Sequence, residues 1–225
     1  PSFEEILRGG FAPNIPRPTY NTNAFYPSPP KGAPLRGMEV LSQALVKEVS
    51  NLELNCRVTS IDPKDKTVWA DKNGEKRKYT YTSECLSTIP LPHLINMCSG
   101  IPGSLVEEVN KLEYTKVYSI AISIRGSRPE KTGHWRYYTD PAIPFTRLIF
   151  MNEFDEHCSP EDGWALLAEV TWPGKAEPPD EQALIKEVTD SIKEVGLLAD
   201  DCTIIGTHVW VINHAYVIFT SETQR

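Results

Sequence analysis

Between His134 and Arg147 the chain reads HWRYYTDPAIPFTR, and this segment carries the residue types best suited to holding a small molecule. Trp135 and Tyr137 offer flat amphipathic rings, and Arg147 offers a planar guanidinium that matches carboxylate or phosphate. Asp140-Pro141 and Pro144 interrupt the run, so the spacing predicts a turn between two strands. A strand pair of that kind puts the rings and the guanidinium on one wall, which suits a planar ligand bearing an anionic group. The same residues also serve plain structural ends, because Tyr and Trp half-bury in sheets and Arg pairs with nearby carboxylates. No nucleophile, base and acid stand together elsewhere. There is no G-x-S-x-G, and histidines and cysteines are scattered without a recognisable shared motif.

The elements that must position this wall follow from periodicity. The first 37 residues are rich in Pro, Asn and Gly and read as loop, apart from a short helix over Ser2 to Arg8 capped by Ser2 with Glu5 and stopped by Gly9. From Gly37 the spacing of Met38, Leu41, Leu45 and Val49 predicts a helix that ends near Ser50. Between Leu52 and Ile89 the period falls to two, with Asn73-Gly74 marking a hairpin turn, which predicts a three-stranded meander and a following strand over CLSTIP. A helix over Gly103 to Lys111 precedes TKVYSIAISIRG, whose β-branched and aromatic content predicts a central strand. Strands at about Arg147 to Asn152 and Trp164 to Thr171 follow. Asp180 opens the clearest helix, with Leu184, Val188, Ile192 and Val195 on one face and Gly196 as its stop. The last strand is CTIIGTHVWVINHAYVIF. The expected fold is α+β, a mixed and mainly antiparallel sheet flanked by helices, with the small meander as a separate lobe. The expected organisation is a loop-rich entry and helix over 1–51, the meander lobe over 52–92 and a substrate-binding domain over 93–225.

Composition bounds the function classes. A chain of 225 residues with 40% hydrophobic content is long enough for a real core. Its net charge of −7 and pI near 5.3 argue against a broad nucleic-acid surface. No apolar run of about 18 residues is present and the start lacks a signal-peptide layout, so neither stable membrane insertion nor export is expected. Five cysteines, Cys56, Cys85, Cys98, Cys158 and Cys202, form no C-x-x-C pair, and their odd number favours reduced structural thiols in the cytoplasm. The five histidines lack metal-ligand spacing, and no metal is expected.

Other motifs point to a family. The order LSTIPLPHL at Leu86 to Leu94, the Tyr137-to-Arg147 spacing, and then LIFMNEFDEHCSPEDGWALLAEVTW resembles the central part of flavin-dependent enzymes of the group containing UDP-galactopyranose mutase, protoporphyrinogen oxidase and the amine oxidases. The resemblance runs from about Tyr20 to Tyr216. It implies FAD as cofactor, with the backbone of Val58 near the adenine and Thr88 to Pro90 near the cofactor edge. It also implies that the meander lobe belongs to the flavin domain, and that the flavin carries the hard chemistry while the protein orients substrate. No G-x-G-x-x-G follows a strand, and Gly9-Gly10 is too isolated to cradle a pyrophosphate, so the chain is expected to be part of a longer protein and not to retain FAD alone.

Two activities follow from the resemblance. The first is an FAD-dependent oxidoreductase whose substrate-binding part this chain provides. The alternative is a redox-neutral mutase-type isomerisation of a nucleotide sugar, in which Tyr137 and Arg147 are carried over as diphosphate ligands and Trp135 lines the same pocket. Either takes a small-molecule substrate, anionic or a nucleotide sugar in the mutase case. His214 and Tyr216 fall where relatives carry a Pro- and Tyr-rich segment near the active site, although Asn213-His214 departs from that pattern. PSPPKGAPLRGMEVL replaces the family's Gly-rich loop with a proline-rich insertion in which Lys31 and Arg36 supply positive charge. A rival of another class is a non-catalytic α+β module that uses the same wall to bind a ligand without cofactor.

Overall fold

The computed structural model describes residues 32–130, 132–155 and 157–220. Two antiparallel sheets organise them. The smaller is a meander of β1 (Cys56–Asp62), β2 (Thr67–Lys72) and β3 (Glu75–Thr80). Asn73 and Gly74 turn β2 into β3 with positive φ at both positions, 55° and 87°, and the Gly74 amide donates to Asp71 Oδ1 at 2.8 Å. Two consecutive left-handed residues match the right-handed twist of the flanking strands, which is why Asn-Gly selects this hairpin. The proposed helix over Ser2 to Arg8 and the residue Lys31 lie outside the described residues.

The larger sheet has five strands in the order β5-β6-β7-β4-β8. They are β4 (Glu113–Arg125), β5 (Trp135–Tyr137), β6 (Arg147–Phe150), β7 (Gly163–Pro173) and β8 (Thr203–Ile218). Alternation on β4 and β7 decides which face is inside. Ile120, Ile122 and Ile124 on β4 and Trp164, Leu166 and Ala168 on β7 are wholly buried, together with Leu148 and Phe150 of β6. They pack in one cluster with Leu184, Val188 and Ile192 of helix α4 (Glu181–Glu194). Asp180 caps that helix by accepting from the Ala183 amide at 2.8 Å, and Gly196, at φ 71°, ends it. A Cβ at Gly163 would overlap the Ile124 carbonyl and the Arg125 backbone, so only glycine lets β7 approach β4 at that end.

Three further helices complete the description: α1 (Glu39–Glu48), α2 (Leu91–Met97) and α3 (Gly103–Lys111). The last matches the span read from the sequence. Helix α1 forms where its apolar period predicts, yet it buries none of its residues, and Leu41, Leu45 and Val49 are exposed. Helix α2 goes unforeseen because its apolar content is short; Pro90 and Pro92 set its first turn. The strand expected over CLSTIP does not form. Residues 85–90 have no ladder partner among the described residues and bend at Ile89, and a segment becomes a strand only by pairing. Among the described residues every ladder is antiparallel, and the lone parallel contact is an isolated bridge from Ile61 to Cys98. The α+β class holds.

The two apolar periodicities therefore carry opposite energetics. Ile122→Ala is expected to lower unfolding free energy by about 2–5 kcal/mol because it opens a cavity in a closed core. Leu41→Ala, on the exposed face of α1, should change it by about 0.5 kcal/mol or less in the same urea titration. Equal losses at the two positions would show that the core has been misplaced.

Candidate functional site

The face of the large sheet opposite the core carries the predicted wall. Register fixes its rows. Tyr137 pairs with Arg147, Arg147 with Glu169, Glu169 with Ser119 and Ser119 with Trp210, so one line of side chains crosses all five strands. The neighbouring row runs Trp135, Ile149, Leu167, Ala121 and His208. Trp135, Tyr137 and Arg147 thus share one face, as their spacing predicts, with Tyr137 65% exposed at the sheet edge.

Arg147 does not stand alone. Its Nε and Nη2 donate to Glu169 Oε2 and Oε1, both at 2.7 Å, and Nη1 donates to the Tyr137 hydroxyl at 3.2 Å. The guanidinium also lies 5.6 Å from the centre of the Tyr137 ring. The side chains of Arg147 and Glu169 are only 23% and 17% exposed. Its hydrogen bonds to the Glu169 carboxylate push the Arg147 pKa up, so the guanidinium stays charged. The sequence reading missed Glu169 because the two residues meet only through cross-strand register.

An apolar cavity of about 220 Å³ adjoins this row. Ile149 and Leu167 of the Trp135 row line it together with Met38, Met151, Phe154 and Cys158. Phe154 stacks on Trp135 with ring centres 6.2 Å apart. Asp155 fixes the rim by accepting from the amides of Gly37 at 3.2 Å and His157 at 3.0 Å. Burial pushes the Asp155 carboxyl up, but those two backbone donors together with the His157 and Arg36 charges outweigh it and hold the group below the usual carboxylate value. Burial raises the Cys158 thiol, which argues against a nucleophilic role. Arg36 lines a separate open hollow of about 800 Å³ with Asn152, His157 and Ser159.

Val58, Thr88 and Pro90 come together elsewhere. All three line one open groove of about 1050 Å³ between the meander and α2, along with Arg57, His93 and Met97. Next to Val58 the β1–β2 ladder shifts register, which leaves Thr59 without an opposite residue and frees backbone groups there.

His214 and Tyr216 are not part of the Tyr137–Arg147 cluster. His214 sits in an irregularity of β8, stacked on Tyr114 with centres 4.2 Å apart and edge-on to His93 at 4.6 Å. Burial, then the His93 and Lys116 charges, push its imidazole below the usual value, so it stays neutral and packs. The extra residues of β8 turn the ring toward α2. Tyr216 shares the wall's face through its pairing with Thr115, but it lies four strands from Tyr137, about 19 Å at ordinary strand spacing. Among the described residues no group of three or more His, Cys, Asp or Glu converges as a metal site, and no helix is long and apolar enough to cross a membrane.

The ion pair makes a stability prediction. Glu169→Gln should cost about 1–3 kcal/mol, because a half-buried guanidinium loses a charged partner. Replacing both residues by Met should cost less than that single change, since no charge is then left unpaired. Urea titrations of the three proteins decide it; singles indistinguishable from wild type would mark the pair as a screened surface contact.

The fold has known relatives. Over 80% of its length the chain superposes on a reduced UDP-galactopyranose mutase, with a TM-score of 0.69 and 23% identity. A protein from Exiguobacterium sp. 255-15 assigned as a protoporphyrinogen oxidase matches over 82% of the chain, with a TM-score of 0.59 and 18% identity. A conjugated-linoleic-acid-producing fatty acid isomerase from P. acnes matches over 77%, with a TM-score of 0.54 and 14% identity. The chain spans 39%, 40% and 39% of those three proteins, and at these identities the likeness is one of fold. The family model for flavin containing amine oxidoreductases matches residues 7–222. With nearly the whole sequence inside that match, the chain belongs to the flavin containing amine oxidoreductase family.

Proposed function

We propose that this chain is the substrate-binding part of an FAD-dependent oxidoreductase, with Trp135, Tyr137 and Arg147 on the substrate wall and Val58, Thr88 and Pro90 on the cofactor groove. The observation that supports this reading best is the convergence of Val58, Thr88 and Pro90 on one groove of about 1050 Å³ in a chain of a flavin family. The groove suits an extended cofactor. Its backbone is freed from the ladder beside Val58, and Arg57 adds positive charge to the lining. FAD, when bound, supplies acceptance of a hydride.

The chain's own residues bind and orient. The Tyr137 hydroxyl accepts from Arg147, which leaves its own proton for donation to a substrate oxygen or nitrogen. Ile149, Leu167 and Phe154 exclude water beside it. Tyr216 borders the far end of the same face, and His214 packs on Tyr114 where β8 is irregular. The mutase-type alternative, a redox-neutral isomerisation of a nucleotide sugar, stands second. A diphosphate at Arg147 would have to approach the Glu169 carboxylate, which already occupies one edge of the guanidinium through two hydrogen bonds. The partner is accordingly a small molecule and not nucleic acid. The acidic pI and five unpaired cysteines support a cytoplasmic setting.

Visible spectroscopy tests this. The whole protein should purify with bound FAD whose absorbance bleaches on anaerobic reduction by substrate, whereas the 225-residue chain alone should release added FAD on desalting. A whole protein that neither contains nor takes up FAD would overturn the proposal in favour of a binding module without cofactor.

A further inference from the structure

We propose that the cavity beside Trp135 selects substrates by an uncharged apolar group, aromatic or branched alkyl, joined to one neutral hydrogen-bonding group that meets Tyr137. This rests on the reading of that face as the substrate wall, and it names the substrate class. Three observations carry it. The cavity holds about 220 Å³ and is faced by carbon and sulfur, from Met38, Ile149, Met151, Phe154 and Leu167 among others, with no polar atom exposed to it. The carboxylate nearest its rim, Asp155, is only 3% exposed and spends its oxygens on two backbone amides.

The charge next door is cancelled. Arg147 and Glu169 form a two-pronged pair inside the same row as Tyr137, so the polar end of the site is neutral as a whole. An anion there loses hydration, gains a guanidinium already donating through Nε, Nη1 and Nη2, and meets a carboxylate. A neutral donor or acceptor meets the Tyr137 hydroxyl at no such cost. Register places the apolar and polar ends side by side, because Ile149 and Leu167 stand two residues from Arg147 and Glu169 on the same face. Cavities of about 150 Å³ with similar lining hold benzene, so this one takes a ring with a short substituent.

The protein carries its own reporters. Of its three methionines, Met38 and Met151 line the cavity and Met97 lines the remote groove. In methyl-labelled methionine NMR of the purified chain, phenethyl alcohol should move the Met38 and Met151 resonances saturably and leave Met97 in place. Phenylacetate, of similar size but anionic, should bind about tenfold more weakly, and UDP should not saturate these signals. Leu167→Phe, which fills the cavity, should abolish both shifts; Ile149→Phe serves if that variant does not fold, with the Met97 resonance reporting the fold. The proposal is overturned if the anions bind more tightly than the alcohol, if no saturable shift occurs, if Met97 moves with the others, or if filling the cavity changes nothing. None of these outcomes depends on flavin, so FAD content of the whole protein separates failure of this inference from failure of the oxidoreductase reading.

Discussion

The arrangement depends on one constraint, the two-sidedness of the β7-β4 pair. Ile120, Ile122 and Ile124 alternate with Ser119, Ala121 and Ser123, and the isoleucines are wholly buried. Burying each such side chain stabilises the fold by roughly 1.5–3 kcal/mol. A slip of one residue would send all three to the other face and bring two serines into the core, so the register is held firmly. Once β4 and β7 are fixed, Glu169 has only one possible row, and β6 delivers Arg147 to it. The wall follows from the core.

That dependence explains what could be read from the sequence. Local signals translated directly: Asn73-Gly74 gave the hairpin, Asp180 and Gly196 bounded α4, and the β-branched run gave the 13-residue central strand. Tyr137 and Arg147 were legible because a hairpin joins them. Glu169 was not, since it lies 22 residues beyond Arg147 and meets it only across the ladder. The stacking of Phe154 on Trp135 and the shared groove of Val58, Thr88 and Pro90 are tertiary in the same sense.

The misreadings have physical reasons too. A period of apolar residues states that a face wants burial, not that a partner is present, and α1 keeps Leu41, Leu45 and Val49 exposed. Residues 85–90 have strand composition without a strand to pair with. His214 stands in the irregularity of β8 between its pairings with Thr115 and Val117, against Tyr114 and His93, an arrangement its place in the chain does not show. Arg147 is a guanidinium answered by a carboxylate, and that pair is why we propose neutral recognition for the wall in place of anion capture.

The central claim is that the Tyr137–Arg147–Glu169 row works as a neutral unit beside an apolar cavity. A crystal structure of the flavin-loaded whole protein with a substrate analogue tests it most directly. The Arg147–Glu169 pair should stay closed, with the ligand's apolar part over Ile149 and Leu167 and its polar end on the Tyr137 hydroxyl. An Arg147 swung away from Glu169 to grip an anionic group, or a wall covered by protein with no room for ligand, would contradict it.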